Sequence, residues 1–461
     1  MESIAYRRNV LELIGATPML RVSRLDAGRC ELYLKLESQN PGGSIKDRIA
    51  LAMVEAAERA GELQPGGLLV EATAGNTGLA LALIAAQKGY GLRIVVPDKM
   101  SQEKIFHLKA LGAEVELTRS DVRKGHPEYY QDVAAAIAAK TRGAFFVNQF
   151  GNPANPAAHE ASTGPEIWEQ MEHNVDAVFC GVGTGGTITG VSRFFARVSP
   201  GTEIVLGDPE GSVVAPYVNT RVLPDEVGSW QVEGIGEDFI PPVCDLSRVR
   251  KAYSIPDAEA FGAIRELLRK EGILAGTSSG TLLAAALRYC REQDAPKRVV
   301  SLVCDSGNKY LSKVYNDYWM VDQGFLERPR FGDLRDLIAR RHSEHAVATV
   351  KADETVLAAL QRMKLYDVSQ LPVMKEDKIV GLVTEEDLLM RAAENAADFR
   401  KPVSTAMESR LVTVTPKASV KDLMRIFDRG LVAIVIEGEE FLGLITRIDL
   451  LNWLRGRTAS P

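Results

Sequence analysis

Twice in this chain an apolar run of β-branched and aliphatic residues ends in a string of glycines and threonines and then turns into a helix-like stretch. Leu68-Leu69-Val70-Glu71-Ala72 leads through T-A-G-N-T-G (Thr73 to Gly78) into a helix expected to run from Gly78 to Lys88. Val178-Phe179-Cys180, within a strand expected over 175–181, leads through G-V-G-T-G-G-T (Gly181 to Thr187) into a helix from Ile188 onward. Further strands are expected at 92–97 and 299–303, the second followed by C-D-S-G-N (Cys304 to Asn308), and a helix is expected from Ile45 to its stop at Gly61. Strands alternating with helices from about residue 45 to 320 imply β–α–β units and parallel sheets. In that class, ligands sit beyond the carboxyl ends of the strands, where these glycine strings lie.

The 461 residues suggest about three domains, and 46% hydrophobic content is enough for large cores. A net charge of −6 without a basic cluster argues against nucleic acid as a partner. The N-terminal residues lack the apolar stretch of a signal peptide, and no apolar run is long enough to cross a bilayer; Leu79 to Ala86 reads as a buried helix. Five cysteines (Cys30, Cys180, Cys244, Cys290, Cys304) and six histidines are scattered without metal-ligand or disulfide spacing. A cytoplasmic protein that uses no metal is expected.

Four segments carry candidate chemistry. P-G-G-S-I-K-D-R (Pro41 to Arg48) has tandem glycines that allow close backbone approach to a ligand, although a lysine there, taken alone, reads as a surface charge. Backbone N–H groups at the Thr73–Gly78 helix start, with the Thr73 and Thr77 hydroxyls, suit a carboxylate, and the helix dipole adds about 0.3–1 kcal/mol. The Gly181–Thr187 loop frees backbone donors for a phosphate. It lacks the G-x-G-x-x-G spacing and downstream acid of a dinucleotide site. A serine at the end of a strand, such as Ser306, is by itself usually a cap.

In combination these strings resemble the β-family, or fold type II, pyridoxal-phosphate enzymes, the cysteine synthase/cystathionine β-synthase family, over residues 8–320. The resemblance implies an α/β fold of two open twisted sheets flanked by helices, with a small subdomain at about 42–145 inserted in a catalytic domain spanning 1–320. It implies that Lys46 forms the imine with pyridoxal 5'-phosphate and moves the substrate's Cα proton. Asn76 would meet the ring hydroxyl, and Gly183, Thr184, Gly185, Gly186 and Thr187 the phosphate. Ser306 would face the pyridine nitrogen, with Asp305 pointing elsewhere. Thr73, Ala74, Gly75, Thr77, Gln149, Glu233 and Gly234 fall at substrate-binding positions.

The implied reaction is β-replacement: L-serine and L-homocysteine give L-cystathionine and water, and cysteine in place of serine releases hydrogen sulfide. D-P-E-G-S (Asp208 to Ser212) and V-E-G-I-G-E-D-F-I-P-P (Val232 to Pro242) favour the cystathionine-forming members. T-G-P-E-I-W (Thr163 to Trp168) looks more like cysteine synthases, which join O-acetylserine and sulfide; these are the alternative. Ala74, where the family usually has serine, and Glu237, where relatives have tyrosine, depart from the pattern near the substrate. A serine or threonine dehydratase, or a non-catalytic adenosyl-ligand sensor, fits less well, because the lysine and the phosphate loop are both retained.

The remainder is duplicated. Val350 to Val356 resembles Val414 to Val420 at an offset of 64, and Gly381 to Asp387 resembles Gly443 to Asp449 at an offset of 62. After a charged linker at 321–345, repeats at 346–395 and 404–457 resemble a tandem CBS-domain module, the Bateman module. The resemblance points to Thr384, Asp387, Thr446 and Asp449 as ribose contacts for S-adenosylmethionine or another adenosyl ligand. The same residues also suit helix capping. Modules of this type pair between subunits, so a homodimer or larger homo-oligomer is expected. No haem is expected, because V-L-E-L-I-G-A-T-P falls within the first eighteen residues, leaving no room for the extension that carries it in animal enzymes.

Overall fold

The computed structural model describes residues 6–73, 75–98, 102–122 and 125–458. The chain divides into two units, Met1–Tyr315 and Asn316–Pro461.

The first unit is built on two sheets. The larger has six strands in the order Met19–Arg21, Glu31–Lys35, Arg298–Leu302, Ala177–Cys180, Glu203–Pro209, Lys251–Ile255; only the first pairs antiparallel. The smaller has four parallel strands in the order Glu114–Thr118, Gly91–Pro97, Leu68–Ala72, Ala144–Phe146. The larger sheet therefore takes strands from both sides of the segment that forms the smaller one. Ala177–Cys180 lies in its interior and is buried at all four residues, so its sequence reads as a continuous apolar run without alternation.

Two helices position the chemistry. Lys46–Ala60 is rich in Ala, Leu, Met and Glu, buries Ile49, Ala50, Met53, Val54 and Ala57 along one stripe, and ends at Gly61 in the left-handed conformation (φ 73°). Asn76–Lys88 buries Leu79, Leu81 and Ile84 together with Ala80, Ala82 and Ala85, so it is enclosed nearly all round, as the apolar run predicts. It begins two residues before the expected Gly78, because Gly75 in extended conformation serves as its N-cap.

The second unit repeats one pattern. A two-strand hairpin with a short parallel strand beside it forms each three-stranded sheet: Val350–Lys351, Gln370–Lys375, Lys378–Thr384, and again Thr413–Val414, Ala433–Glu437, Glu440–Ile445. Both hairpins carry an irregularity at the equivalent place, Val373/Met374 and Val435/Ile436. The change of offset between the repeats is traced to the helix Val356–Tyr366, of 11 residues, whose counterpart Val420–Asp428 has 9.

Much of the segment read as a linker is structured and lies inside the second unit. Leu334, Leu337 and Ile338 are buried in the core of the C-terminal repeat with Leu423, Phe427, Val435 and Ile445. The Leu334 amide donates to the Pro416 carbonyl (3.0 Å), and a Cβ on Gly443 would lie 2.5 Å from Ile338. The unit boundary accordingly falls before this segment, between Tyr315 and Asn316.

Candidate active site

A cavity of about 250 Å³ opens in the first unit where the strand ends of both sheets converge. Lys46 reaches it from the first turn of its helix. The loop before this helix is laced to the distant C-D-S strand end: the Ile45 amide donates to the Cys304 carbonyl (2.9 Å) and the Ser306 amide to the Gly43 carbonyl (3.1 Å). A Cβ on Gly42 would collide with Asp47, whose carboxylate accepts from the Gly42 amide at 2.6 Å.

Arg48 anchors the same turn. Its guanidinium is bidentate to Glu37 (2.7 and 2.8 Å) and to Glu166 (2.7 Å twice), and the fully buried Lys35 also donates to Glu166 at 2.6 Å. Burial would raise the Glu166 carboxyl, but hydrogen bonds from Arg48 and Lys35 bring it down to about 2. Lys46 itself has no ion pair among the described residues. Burial pushes its ammonium below the ordinary lysine value, while Cys304, Glu237 and Asp305 pull it back. A lysine so placed is disposed to lose its proton.

The glycine loop faces it. The Gly186–Val198 helix starts after Gly185 (φ 82°) without a side-chain cap, and the N–H groups of Gly183, Thr184 and Gly185 have no partner among the described residues. Side chains are excluded here: a Cβ would lie 2.4 Å from the Gly234 carbonyl at Gly183, 2.3 Å from Cys244 at Gly185, and 1.8 Å from Asn155 at Gly186. The buried Asn155 amide donates to Thr184 Oγ1 (2.9 Å) and to the Gln149 carbonyl (2.8 Å), leaving the Thr184 hydroxyl proton free. Thr187 Oγ1 lies 3.2 Å from Nε2 of the buried His159, whose Nδ1 meets Thr163. Burial holds this imidazole well below its ordinary value, so it is neutral.

At the other helix start, Thr77 donates to Gln149 Oε1 (2.6 Å), and the Gln149 amide N–H donates to the buried Glu71 (3.2 Å). Thr73 accepts from the Gly75 N–H (3.2 Å). Thr73, Gly75, Asn76, Thr77, Gln149, Gly183, Thr184, Glu233 and Gly234 all line the cavity with Lys46; Ala74 lies outside the described residues. Gly185, Gly186 and Thr187 stand behind the lining. Ser306 is also outside the lining, its hydroxyl accepting from the Asn308 amide at 3.3 Å. Asn76 donates to Asp305 (2.8 Å) and accepts from Lys309, and Tyr310 also donates to Asp305 at 2.8 Å. Lys104, Trp230, Glu237, Lys309 and Tyr310 also line it. Of these only Glu237 stood out in the sequence, as a departure from pattern. Asn155 and His159 carry no sequence signal, since each acts on a loop some 30 residues away.

The donor set fits pyridoxal phosphate. An uncapped helix start with free N–H groups and a hydroxyl suits the dianionic phosphate, and a buried unpaired lysine suits an aldehyde. The residues that would hold the group are Lys46, Asn76, Ser306 and Gly183–Thr187.

A second cavity, about 610 Å³, lies in the second unit and is lined by Thr446 and Asp449, whereas Thr384 and Asp387 are not in its wall. All four hold helix starts. Thr384 and Asp387 form a capping box, and Thr446 donates from Oγ1 (2.6 Å) and N (2.7 Å) to Asp449 Oδ2. No helix of the described residues is long and apolar enough to cross a membrane, and no cluster of three or more His, Cys, Asp or Glu among them could hold a metal ion.

Residues 10–305 match the family described as pyridoxal-phosphate dependent enzymes, and 335–394 and 403–456 match CBS domains. The chain is 37% identical to the cystathionine beta-synthase of Dictyostelium discoideum over 97% of its own length and 92% of the relative's. It is 35% identical to that of Saccharomyces cerevisiae over 97% and 98%. Among solved structures, the first unit resembles a hydrogen sulfide-producing enzyme from Fusobacterium nucleatum (37% identity, TM-score 0.62, 66% of this chain and all of that one). It also resembles O-ureido-L-serine synthase (32% identity, TM-score 0.63, 69% and 100%). The chain belongs to the pyridoxal-phosphate dependent enzymes, of fold type II, and carries a tandem CBS-domain module C-terminal to its catalytic unit in sequence.

Proposed function

We propose that the chain catalyses the pyridoxal-phosphate-dependent condensation of L-serine with L-homocysteine to L-cystathionine and water. The observation that carries this reading is Lys46: buried without an ion pair, in one cavity with an uncapped glycine loop on one side and the Thr77–Gln149 pair on the other. Relatives that share both units from end to end are named for this reaction.

Bound pyridoxal phosphate would supply the electron withdrawal that makes the substrate's Cα–H acidic. The chain's own residues do the rest. The Gly183–Thr187 loop and the Thr184 hydroxyl would hold the phosphate, Asn76 would meet the ring hydroxyl, and Ser306 would serve the ring nitrogen. Thr73, Gly75, Thr77 and the free amide protons of Gln149 orient the substrate carboxylate, with Ala74 beside them; Glu233 and Gly234 close the far wall. Lys46 takes the Cα proton and later returns it, a role typically worth about 10²–10⁴-fold. The structure resembling a hydrogen sulfide-producing enzyme supports a second use of the same site, in which cysteine takes the place of serine and sulfide leaves.

The tandem module is regulatory or assembly-related. Its 610 Å³ cavity is large enough for an adenosyl ligand such as S-adenosylmethionine, with Thr446 and Asp449 at its wall. A homo-oligomeric, cytoplasmic enzyme is part of the same reading.

The test is a panel of serine, O-acetylserine and cysteine against homocysteine and sulfide, products identified by mass spectrometry, with and without S-adenosylmethionine. Cystathionine from serine is expected. Cysteine from O-acetylserine and sulfide, without cystathionine, would transfer the assignment to cysteine synthesis. Unchanged melting and activity with S-adenosylmethionine would leave assembly as the module's role.

A further inference from the structure

The string V-E-G-I-G-E-D-F puts two glutamates on one wall of the active-site cavity, and they are held in opposite states. Glu233 accepts from both Lys104 and Lys313, and although burial opposes it, these two ammoniums bring its carboxyl below the ordinary value. The Glu237 carboxyl has no hydrogen bond among the described residues. Its main chain, by contrast, is fixed. The Glu237 amide donates to Ser212 Oγ (3.1 Å), and its carbonyl accepts from Ser212 Oγ (3.2 Å) and the Val213 amide (3.0 Å). The preceding Gly236 sits at φ 89°, where a Cβ would lie 2.4 Å from Pro209. The acid is thus carried on a rigid segment toward the cavity that Lys46 enters.

Burial raises the Glu237 carboxyl, Asp238 and Asp208 raise it further, Lys46 opposes them, and it settles at about 8. Tyr129, Tyr130 and Cys244 also sense its charge. A carboxyl raised in this way holds its proton at neutral pH.

The reaction needs such a proton at Cβ. Hydroxide is a poor leaving group, and the incoming thiol must lose its own proton before it adds. Lys46 is engaged at Cα. Among the other described groups lining the cavity, Glu233 is ionised against lysines, Lys104 is bound to Glu233, Lys309 to Asn76, and Tyr310 to Asp305.

We propose that Glu237 is the acid–base group of the exchange at Cβ, giving its proton to the departing serine hydroxyl and taking one from the incoming thiol. The inference rests on the β-replacement reading. The Cβ–O bond breaks with its electron pair going to oxygen, which takes the Glu237 proton and leaves as water. The pair left at Cα by removal of its proton closes a Cα=Cβ bond. The thiol then gives its proton to the Glu237 carboxylate, and its sulfur forms the S–Cβ bond. The Cα=Cβ pair returns to Cα, which recovers its proton from Lys46. Both protein groups end as they began, and one water is released for each thioether formed.

The test splits the two carbons. With serine alone in labelled water, the holoenzyme should exchange the Cα hydrogen for deuterium and the β-hydroxyl for ¹⁸O. E237Q should keep the Cα exchange within about threefold, which also shows a folded, cofactor-loaded site, and lose the β-oxygen exchange by ~10²-fold or more. Cystathionine formation from serine should fall by a similar factor in E237Q. Formation from O-acetylserine, whose acetate leaves without a proton, should fall far less at a pH where the thiol is already ionised. In the wild type the serine reaction should decline as pH rises through about 8. E237Y, which keeps its proton to about pH 10, should restore part of the rate and move that decline upward. Equal loss with both donors, or β-oxygen exchange surviving in E237Q, would overturn the proposal. If the wild type itself makes no cystathionine from serine, the reaction reading fails instead.

Discussion

The two units start their helices in opposite ways. In the catalytic unit, Asn76–Lys88 and Gly186–Val198 begin after glycine with no side-chain cap. In the tandem module, Glu385–Glu394 and Val420–Asp428 begin under capping boxes, and Arg447–Thr458 follows the Thr446–Asp449 pair. A helix start leaves four N–H groups without intrahelical partners, and a capping box satisfies two donors reciprocally. The first unit forgoes a few tenths up to about 1 kcal/mol of local stability per start and keeps its donors free for a ligand's anion. The module's helix starts have part of their donors satisfied by their own side chains, so fewer are left for a ligand in its cavity, and the Asp449 Oδ1 that the Thr446 bonds leave over is a further contact there.

The contrast can be broken at its strongest point first. K46A should abolish β-replacement, removing both the covalent anchor and the Cα base, read as product by mass spectrometry. G185A forces a side chain into φ 82° and against Cys244; strain and overpacking together cost roughly 2–5 kcal/mol. It should appear as lost cofactor retention and a lower melting temperature of the catalytic unit, with the module unaffected.

Glu71, which supports the Asn76–Lys88 helix start through Gln149, gives a pH signature. Burial raises its carboxyl from 4.5 to about 7, against the backbone N–H groups of Ala72 and Gln149. The folded chain therefore holds this proton more tightly than the unfolded one. The stabilisation is complete below about pH 4.5 and is lost as pH rises through about 7. Across that window the wild type should lose on the order of 2–3 kcal/mol relative to E71Q, measured by denaturant unfolding at several pH values. The smallest effect belongs to the module. T384A should cost about 1 kcal/mol of module stability and leave cofactor content and turnover unchanged. A drop in cofactor binding there would dissolve the distinction between the two kinds of helix start.

The contiguous strings were readable because their local structure follows from neighbours in sequence. Lys46 opens a helix directly after the tandem glycines, and Gly183–Thr187 joins its own strand to its own helix, so each string carries its local structure with it. Asn155 and His159 were not, because nothing near them in sequence says that Thr184 and Thr187 will fold against them. Lys309 follows a recognised motif, yet only the tertiary approach of Asn76 gives it a partner. The helix over Leu79 to Ala86 was legible from its apolar run, but its start was not, since the glycine that caps it looks like any loop glycine. Polar, arginine-rich flanks made 321–345 read as a tether, concealing the three apolar residues that the last repeat buries.

Those three residues bear on the order in which the chain comes off the ribosome. Leu334, Leu337 and Ile338 are synthesised before the first repeat, yet the core they complete is not finished until Ile445 and Leu450 emerge. The N-terminal repeat, whose core runs from Val350 to Val403, can close while they wait. A nascent module therefore passes through a stage with one folded repeat and an apolar segment still searching for its socket. A chain begun at residue 346 would carry a C-terminal repeat with a permanent hole where Ile338 meets Gly443.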